Sequence, residues 1–411
     1  MPNAITYLTQ DLPGIGGQIK AAPEDFNVEE IPLYTPSGEG EHTYFALRKR
    51  NLATMEAIRR VASALHVSPN TFGHAGLKDA KAVTTQMLSV QGVSPERLLA
   101  LDLPNIEILW AKPHRNKLRV GHLRANRFQI VVRNVQPNAL ARAQEVLARL
   151  QQKGVPNRFG EQRFGIKGDS YQIGRAFVQQ DWKAVLDVFL GQPGEMESEQ
   201  LQAARCAYAD NALERAYDLF PRSTHTNERN VLNALMQRPA DLESACMAMP
   251  VNLRKFFLSA YQSYLFNRVM ERRLSSLGTL FVGDLAMKHR NGACFHVENP
   301  NIEQPRADAF EISPTGPLFG YKMTAPHGEP GRIETEVLSE DGLVSTSFHV
   351  RSPVRVDGAR RALRLPIEAA SVEEVDVGLR LSFTLPPGGY ATVVLDEVMK
   401  TGLPSGESGQ V

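Results

Sequence analysis

The chain has 411 residues, 42% hydrophobic and 22% charged, a composition that fits a soluble globular protein of two or three domains and is too long for one ordinary core. No run reaches the ~20 apolar residues a membrane span needs, and no basic, then apolar, then small-residue leader opens the chain, so a cytoplasmic protein without a membrane partner is expected. The formal net charge of +1 gives no strongly basic body, and the widely spaced Cys206, Cys246 and Cys294 fit neither a disulfide framework nor a Cys-x-x-Cys metal site, leaving thiols expected to be buried or inert.

In chain order, residues 26–31 read as a strand and residues 43–48 alternate as another. The loop through Pro36 and Gly40 predicts that they pair as a hairpin. From Thr54, a candidate N-cap, the residues Met55, Ile58, Val61, Ala62 and Leu65 recur at helical spacing, with an end expected before Ser68-Pro69. The chain then enters Phe72-Gly73-His74-Ala75-Gly76-Leu77-Lys78-Asp79-Ala80-Lys81, which sets one carboxylate among glycines and lysines. Gly73 and Gly76 suit a sharp turn or close approach to a ligand. Neighbouring cations favour the charged form of a carboxylate, which can then serve as nucleophile or base. The plainer alternative is a solvated turn closed by an Asx hydrogen bond.

Residues 83–90 read as a strand, and residues 127–133 alternate so that Phe128, Ile130 and Val132 share a face. Pro137 opens a helix through Leu140, Ala143, Leu147 and Leu150, with Gly154 as its stop. Single helices between strands, with hairpin signals, predict an α+β domain with a mixed, largely antiparallel sheet. Helical patterns dominate from about Asp181 to Gly278, clearest over residues 255–277 with Phe257, Tyr261, Tyr264, Leu265 and Leu274 as an apolar stripe. From Phe281, short strand-like runs alternate with turn signals at residues 289–292 and at Asp341-Gly342; residues 380–385 read as a strand and residues 390–395 as a further strand or a helix start.

Charge is unevenly distributed. Lys112, Arg115, Lys117, Arg119, Arg124, Arg127 and Arg133 occur without an intervening acid, and Arg351, Arg355, Arg360, Arg361 and Arg364 crowd around one, Asp357. Such blocks suit a phosphate backbone, unless distant carboxylates cancel them in space. Arg158-Phe159-Gly160 recurs as Arg163-Phe164-Gly165, offering cations for phosphate and aromatic faces for stacking; an aromatic-packed loop is the alternative.

Five segments together resemble the TruD family of tRNA pseudouridine synthases. They are Lys20-Ala21-Ala22-Pro23-Glu24-Asp25-Phe26-Asn27-Val28-Glu29-Glu30, His74 to Asp79, Asn126-Arg127-Phe128, Asn157 to Gly165, and Pro387-Gly388-Gly389-Tyr390-Ala391-Thr392, in the family's order and across nearly the whole chain. The resemblance implies an enzyme that isomerises uridine to pseudouridine in tRNA, at position thirteen in the D arm, with no cofactor and no metal. It also implies an α+β fold: a discontinuous pseudouridine-synthase catalytic domain over residues 1–153 and 361–411, with an α+β TRUD domain inserted over residues 154–360. By the same resemblance Asp79 is the catalytic nucleophile, with attack on ribose or uracil and abstraction of a sugar proton all open as first steps. Lys20 would pair with Asp79, Lys78 being the alternative. Phe128 would stack on the uracil, and Phe26, Asn126 and Tyr390 would line the nucleotide pocket, Tyr390 replacing the family's usual phenylalanine. Arg119, Arg124, Arg127, Arg158 and Arg163 are the candidate RNA contacts. Glu29 and Glu30 stay open, one orienting Lys20 or both exposed. A monomer is expected, since no exposed heptad is evident. Two other classes compete: a non-catalytic tRNA-binding protein or RNA chaperone, and an aspartyl hydrolase or phosphotransferase, which would want further carboxylates for magnesium near Asp79.

Overall fold

Strands β1 (Phe26–Pro32), β2 (His42–Arg50), β3 (Phe72–His74), β4 (Val83–Gln91), β5 (Ile106–His114) and β6 (Leu123–Arg133) join Glu368–Val375 and Gly378–Leu385 in one eight-stranded mixed sheet. The computed structural model describes residues 6–165, 167–194, 197–348 and 356–401. The chain divides into two compact units, one of the residues up to Asn157 with those from Arg364 on, the other running from Arg158 to Leu363. Both junctions fall slightly beyond positions 153 and 360, because Val155–Pro156 pairs antiparallel with Arg364–Leu365 and draws both crossing segments into the first unit. Both units are α+β.

In the first unit the sheet runs Glu368–Val375, Gly378–Leu385, β6, β1, β4, β2, β5, with β3 added to β4. Only β1 and β4 run parallel. The expected β1–β2 hairpin does not form, because β4 lies between them, parallel to β1 and antiparallel to β2. The buried run from Gln86 to Val90 suits a strand covered on both faces, which is a central rather than an edge position.

The alternation in β6 is as expected: Phe128, Ile130 and Val132 are all fully buried. They pack with Phe26, Val28, Leu381 and Phe383 against the helices Ala139–Lys153 and Ala391–Met399. Gly154, at φ 86, ends the first of these in a conformation that disfavours a side chain. Residues 390–395 belong to a helix, with Tyr390 at its N-cap. Helix Thr54–Leu65 matches the spacing, but its N-cap is Ala53, and the Thr54 hydroxyl turns inward to other partners.

Register then places polar side chains in the middle of this apolar sheet. Asn126 in β6 opposes Glu30 in β1, and Thr84 in β4 opposes Lys49 in β2. Together with Gln86 these five side chains are at most 5% exposed. A buried polar group needs partners. The loop between β3 and β4, which carries Lys78 and Asp79, supplies several of them.

The second unit is helical from Ser170 to Arg272, built on Val251–Arg272, whose Phe257, Tyr261 and Leu265 are buried. A four-stranded sheet follows, ordered Ala359–Ala362, Ile312–Leu318, Leu285–Lys288, Cys294–His296, with residues 289–292 as the turn of its hairpin. Helices Pro300–Asp308 and Gly328–Ser339 lie where only strands were expected; Pro305 in one and Gly328, Pro330 and Gly331 in the other weaken the helical signal. Cys246 is buried, whereas Cys206 and Cys294 are exposed. Among the described residues no helix is long and apolar enough to cross a membrane.

Candidate active site

Asp79 sits in a loop whose backbone is held from beneath. The Thr54 hydroxyl accepts the Lys78 backbone N–H at 2.9 Å and donates to Gln86 Oε1 at 2.8 Å. Gln86 Nε2 in turn donates to the Gly76 carbonyl at 3.3 Å. Lys49 Nζ donates to the carbonyls of Asp79 at 2.7 Å and Leu52 at 2.5 Å. Burial pushes the Lys49 ammonium down to about 8, against the favourable charge of Asp79 and with the repulsion of Lys78. Gly73 is not explained by a turn or a ligand: a Cβ there would lie 2.3 Å from the Leu118 carbonyl oxygen, so close backbone packing fixes it.

The Asp79 carboxylate is 6% exposed and engaged at both oxygens. Oδ1 accepts the Lys81 N–H at 3.0 Å, and Oδ2 forms a buried ion pair with Lys20 Nζ. Lys20 stands at φ 58, a left-handed conformation that costs roughly 1 kcal/mol in a residue with a Cβ, so its surroundings must hold it. They do so through Arg133. Its backbone exchanges both hydrogen bonds with Gln18, at 2.9 and 2.8 Å, while its guanidinium grips Asp25 with two bonds of 2.8 Å. The guanidinium holds the Asp25 carboxyl below the usual range. Arg133 is therefore a clamp on the segment that carries Lys20.

Lys78 does not compete for Asp79. Its ammonium ion-pairs with Glu30 Oε2 at 3.0 Å and donates to Asn126 Oδ1 at 2.8 Å, while Glu30 Oε1 accepts the Met87 N–H at 3.1 Å. Glu30 thus has a partner in Lys78 rather than Lys20. Burial lowers the pKa of Lys78 and the adjacent Glu30 opposes that shift. Asn126 is fully buried, yet its Nδ2 has no hydrogen-bond partner among the described residues.

The aromatic candidates gather beside this pair. Lys20 Nζ lies 4.5 Å from the centroid of the Phe26 ring, whose edge meets Phe128 at a centroid separation of 6.5 Å. Phe128 also packs on Phe383 at 5.3 Å and is fully buried. Tyr390 is half-buried against the same cluster.

The basic candidates divide sharply. Arg119 and Arg124 are exposed, and no ion pair among the described residues involves them. Arg127 is exposed and pairs with Glu29 at 2.9 Å, which places Glu29 at the surface. Among its described residues, the second block does not form a basic surface. Arg360 makes a buried ion pair with Glu334 at 2.6 Å, and Arg364, 2% exposed, donates to the Lys153 carbonyl at 2.8 Å. Arg361 lies over the Phe159 ring at 4.3 Å, while Arg351 and Arg355 lie outside the described residues.

The Arg-Phe-Gly repeat belongs to the second unit and packs inward. The Phe159 N–H and carbonyl bond the Asn267 side chain at 2.8 and 2.9 Å, and its ring meets Phe266 edge-on at 5.5 Å. Arg158 is buried, which removes it from a surface contact with RNA. Arg163 donates to the hydroxyls of Ser263, at 3.3 Å, and Ser259, so in this state it braces the loop on the long helix. The sequence offered the paired cations and rings but no sign of their direction.

A family model described as tRNA pseudouridine synthase D (TruD) matches residues 3–398, so the class is pseudouridine synthase. The tRNA pseudouridine synthase D of Geobacter metallireducens is 51% identical over 398 residues, 97% of this chain and 98% of that one. That of Anaeromyxobacter dehalogenans is 38% identical over 398 residues, 96% of each chain. A crystal structure from Methanosarcina mazei, assigned as a tRNA pseudouridine synthase D, matches with a TM-score of 0.87 at 28% identity, covering 97% of this chain and 96% of that one. The chain belongs to the TruD family of tRNA pseudouridine synthases.

Proposed function

We propose that this protein converts uridine to pseudouridine at position thirteen of tRNA, with Asp79 as nucleophile and with no cofactor or metal. The observation that carries the proposal is the buried Lys20–Asp79 pair beside the Phe26 ring, on a loop braced by Thr54, Gln86 and Lys49. A carboxylate held this way is a charged group aimed by its scaffold before any substrate arrives, as a nucleophile requires.

The reaction breaks the bond from ribose C1′ to uracil N1, turns the base, and joins C1′ to C5. The C5 proton leaves and N1 gains one, so no electron or group enters from outside. Asp79 is the group that acts on the nucleotide, Lys20 its counter-cation, Phe26, Asn126 and Tyr390 the lining, and Phe128 the stacking surface once the pocket opens. The first unit is the catalytic domain and the second the inserted TRUD domain. A target uridine in a folded arm must be extruded, which costs a few kcal/mol of stacking that phosphate contacts offset. Arg119, Arg124 and, after release of Glu29, Arg127 are suited to those contacts, because exposed ion pairs are weak and easily exchanged.

Treating an unmodified tRNA transcript with the protein, then with a carbodiimide that marks pseudouridine, tests the site by primer extension. A single new stop adjacent to position thirteen is expected. A stop elsewhere, or none, contradicts the assignment.

A further inference from the structure

We propose that the buried Glu30–Lys78 ion pair is a positioning device that locks the Asn126 amide with its NH2 outward, as a fixed donor to the uracil carbonyls. This deepens the proposed function and rests on Asn126 lining the nucleotide pocket.

The geometry leaves the amide one orientation. A lysine ammonium is a donor only, so the atom it meets at 2.8 Å must be the amide oxygen, and the NH2 group must point the other way. Turning the amide over would set two donors against each other. Glu30 fixes the ammonium in place, and the Met87 N–H fixes Glu30. The Lys78 and Glu30 side chains are 1% and 0% exposed, so water offers no alternative partner. What remains is an NH2 group, fully buried and without a partner among the described residues. Such a group is costly to keep unless a ligand meets it. Alternation along β6 sets Asn126 on the same face as Phe128, whose ring neighbours Phe26 and, through it, the Lys20–Asp79 pair.

The chemistry of the reaction gives this donor a use. Bringing C5 to the position of N1 requires a half-turn of uracil about the axis through N3 and C6. That turn exchanges the C2 and C4 carbonyls and leaves N3–H where it was. A donor beside one carbonyl before the turn therefore meets the other carbonyl after it, and holds the base equally well in both orientations. Cytosine cannot do this. In one of its two orientations the amino group at C4 would face the amide NH2, donor against donor, so the same lock selects uracil.

The test uses tRNA assembled with 2-thiouridine or 4-thiouridine at the target position, since sulfur is a weaker acceptor than oxygen. Wild type is expected to turn over at least one of these about three- to tenfold more slowly than the all-oxygen substrate. Asn126→Ala should lower the overall rate and lose that sensitivity. Lys78→Met should also lose it while still binding tRNA, because the amide is then free to turn over. As Lys78→Met leaves Glu30 unpaired and puts folding at risk, the paired change Glu30→Gln with Lys78→Met, which removes both charges, provides the same reading. A wild type indifferent to both sulfur substitutions, or variants that keep the wild-type sensitivity, overturns the lock. Failure of wild type to convert the all-oxygen tRNA would instead overturn the proposed function.

Discussion

Lys20 and Asp79 are separated by β1, β2, β3 and the helix between, yet their side chains form an ion pair with only 4% and 6% of their surfaces exposed. Removing one partner of such a pair leaves the other charge buried and uncompensated, which costs about 3–5 kcal/mol. Lys20→Met should accordingly lower stability by that order in urea unfolding and reduce turnover at least a hundredfold, while leaving tRNA affinity nearly unchanged. A variant as stable and active as wild type would show that Lys20 neither supports nor tunes Asp79.

Lys49 gives a pH signature with a definite sign. Its folded pKa is about 8, below the ~10.4 of the unfolded chain. Between those values the unfolded state holds a proton that the folded state has lost, so stability rises with pH. Below pH 8 the whole cost of burying the ammonium is present. Relative to Lys49→Met, wild type should gain roughly 2–3 kcal/mol between pH 7.5 and 10 in urea titrations. A flat or falling difference would place the Lys49 proton elsewhere.

The two arginine blocks should behave differently. Reversing Arg119 and Arg124 to Glu should weaken tRNA binding and reduce the salt slope of log K by about 2, one for each phosphate that is no longer neutralised. Arg360→Ala should leave that slope unchanged and lower the Tm, because its partner Glu334 is buried. An unaltered slope for the double reversal would remove Arg119 and Arg124 from the interface.

Much of this was legible in the sequence because it is local. Period-two alternation marks β6, and the spacing of Ile58, Val61, Ala62 and Leu65 marks their helix. The Asp79 loop declares itself by residue type. What the sequence hides is non-local. Nothing in β1 or β2 says that β4 will separate them, since strand order is set by packing across the sheet. Counting charges cannot tell the exposed Arg124 from the clamped Arg133, because the carboxylate that holds Arg133 lies far away along the chain. The Glu30–Lys78–Asn126 set has the same character: three residues from β1, a loop and β6 that meet only in the fold. Gly73 reads in sequence as a sharp turn or a close approach to a ligand, and in space it packs directly against the Leu118 backbone.

The role of Asp79 in the chemistry is tested by single-turnover release of label from tRNA carrying tritium at uracil C5, with wild type and Asp79→Asn compared at saturating enzyme. Wild type should release one label per target uridine without added metal. Asp79→Asn should bind the same tRNA with comparable affinity and release none. Sustained release by the Asn variant would contradict the assignment of Asp79 as the nucleophile.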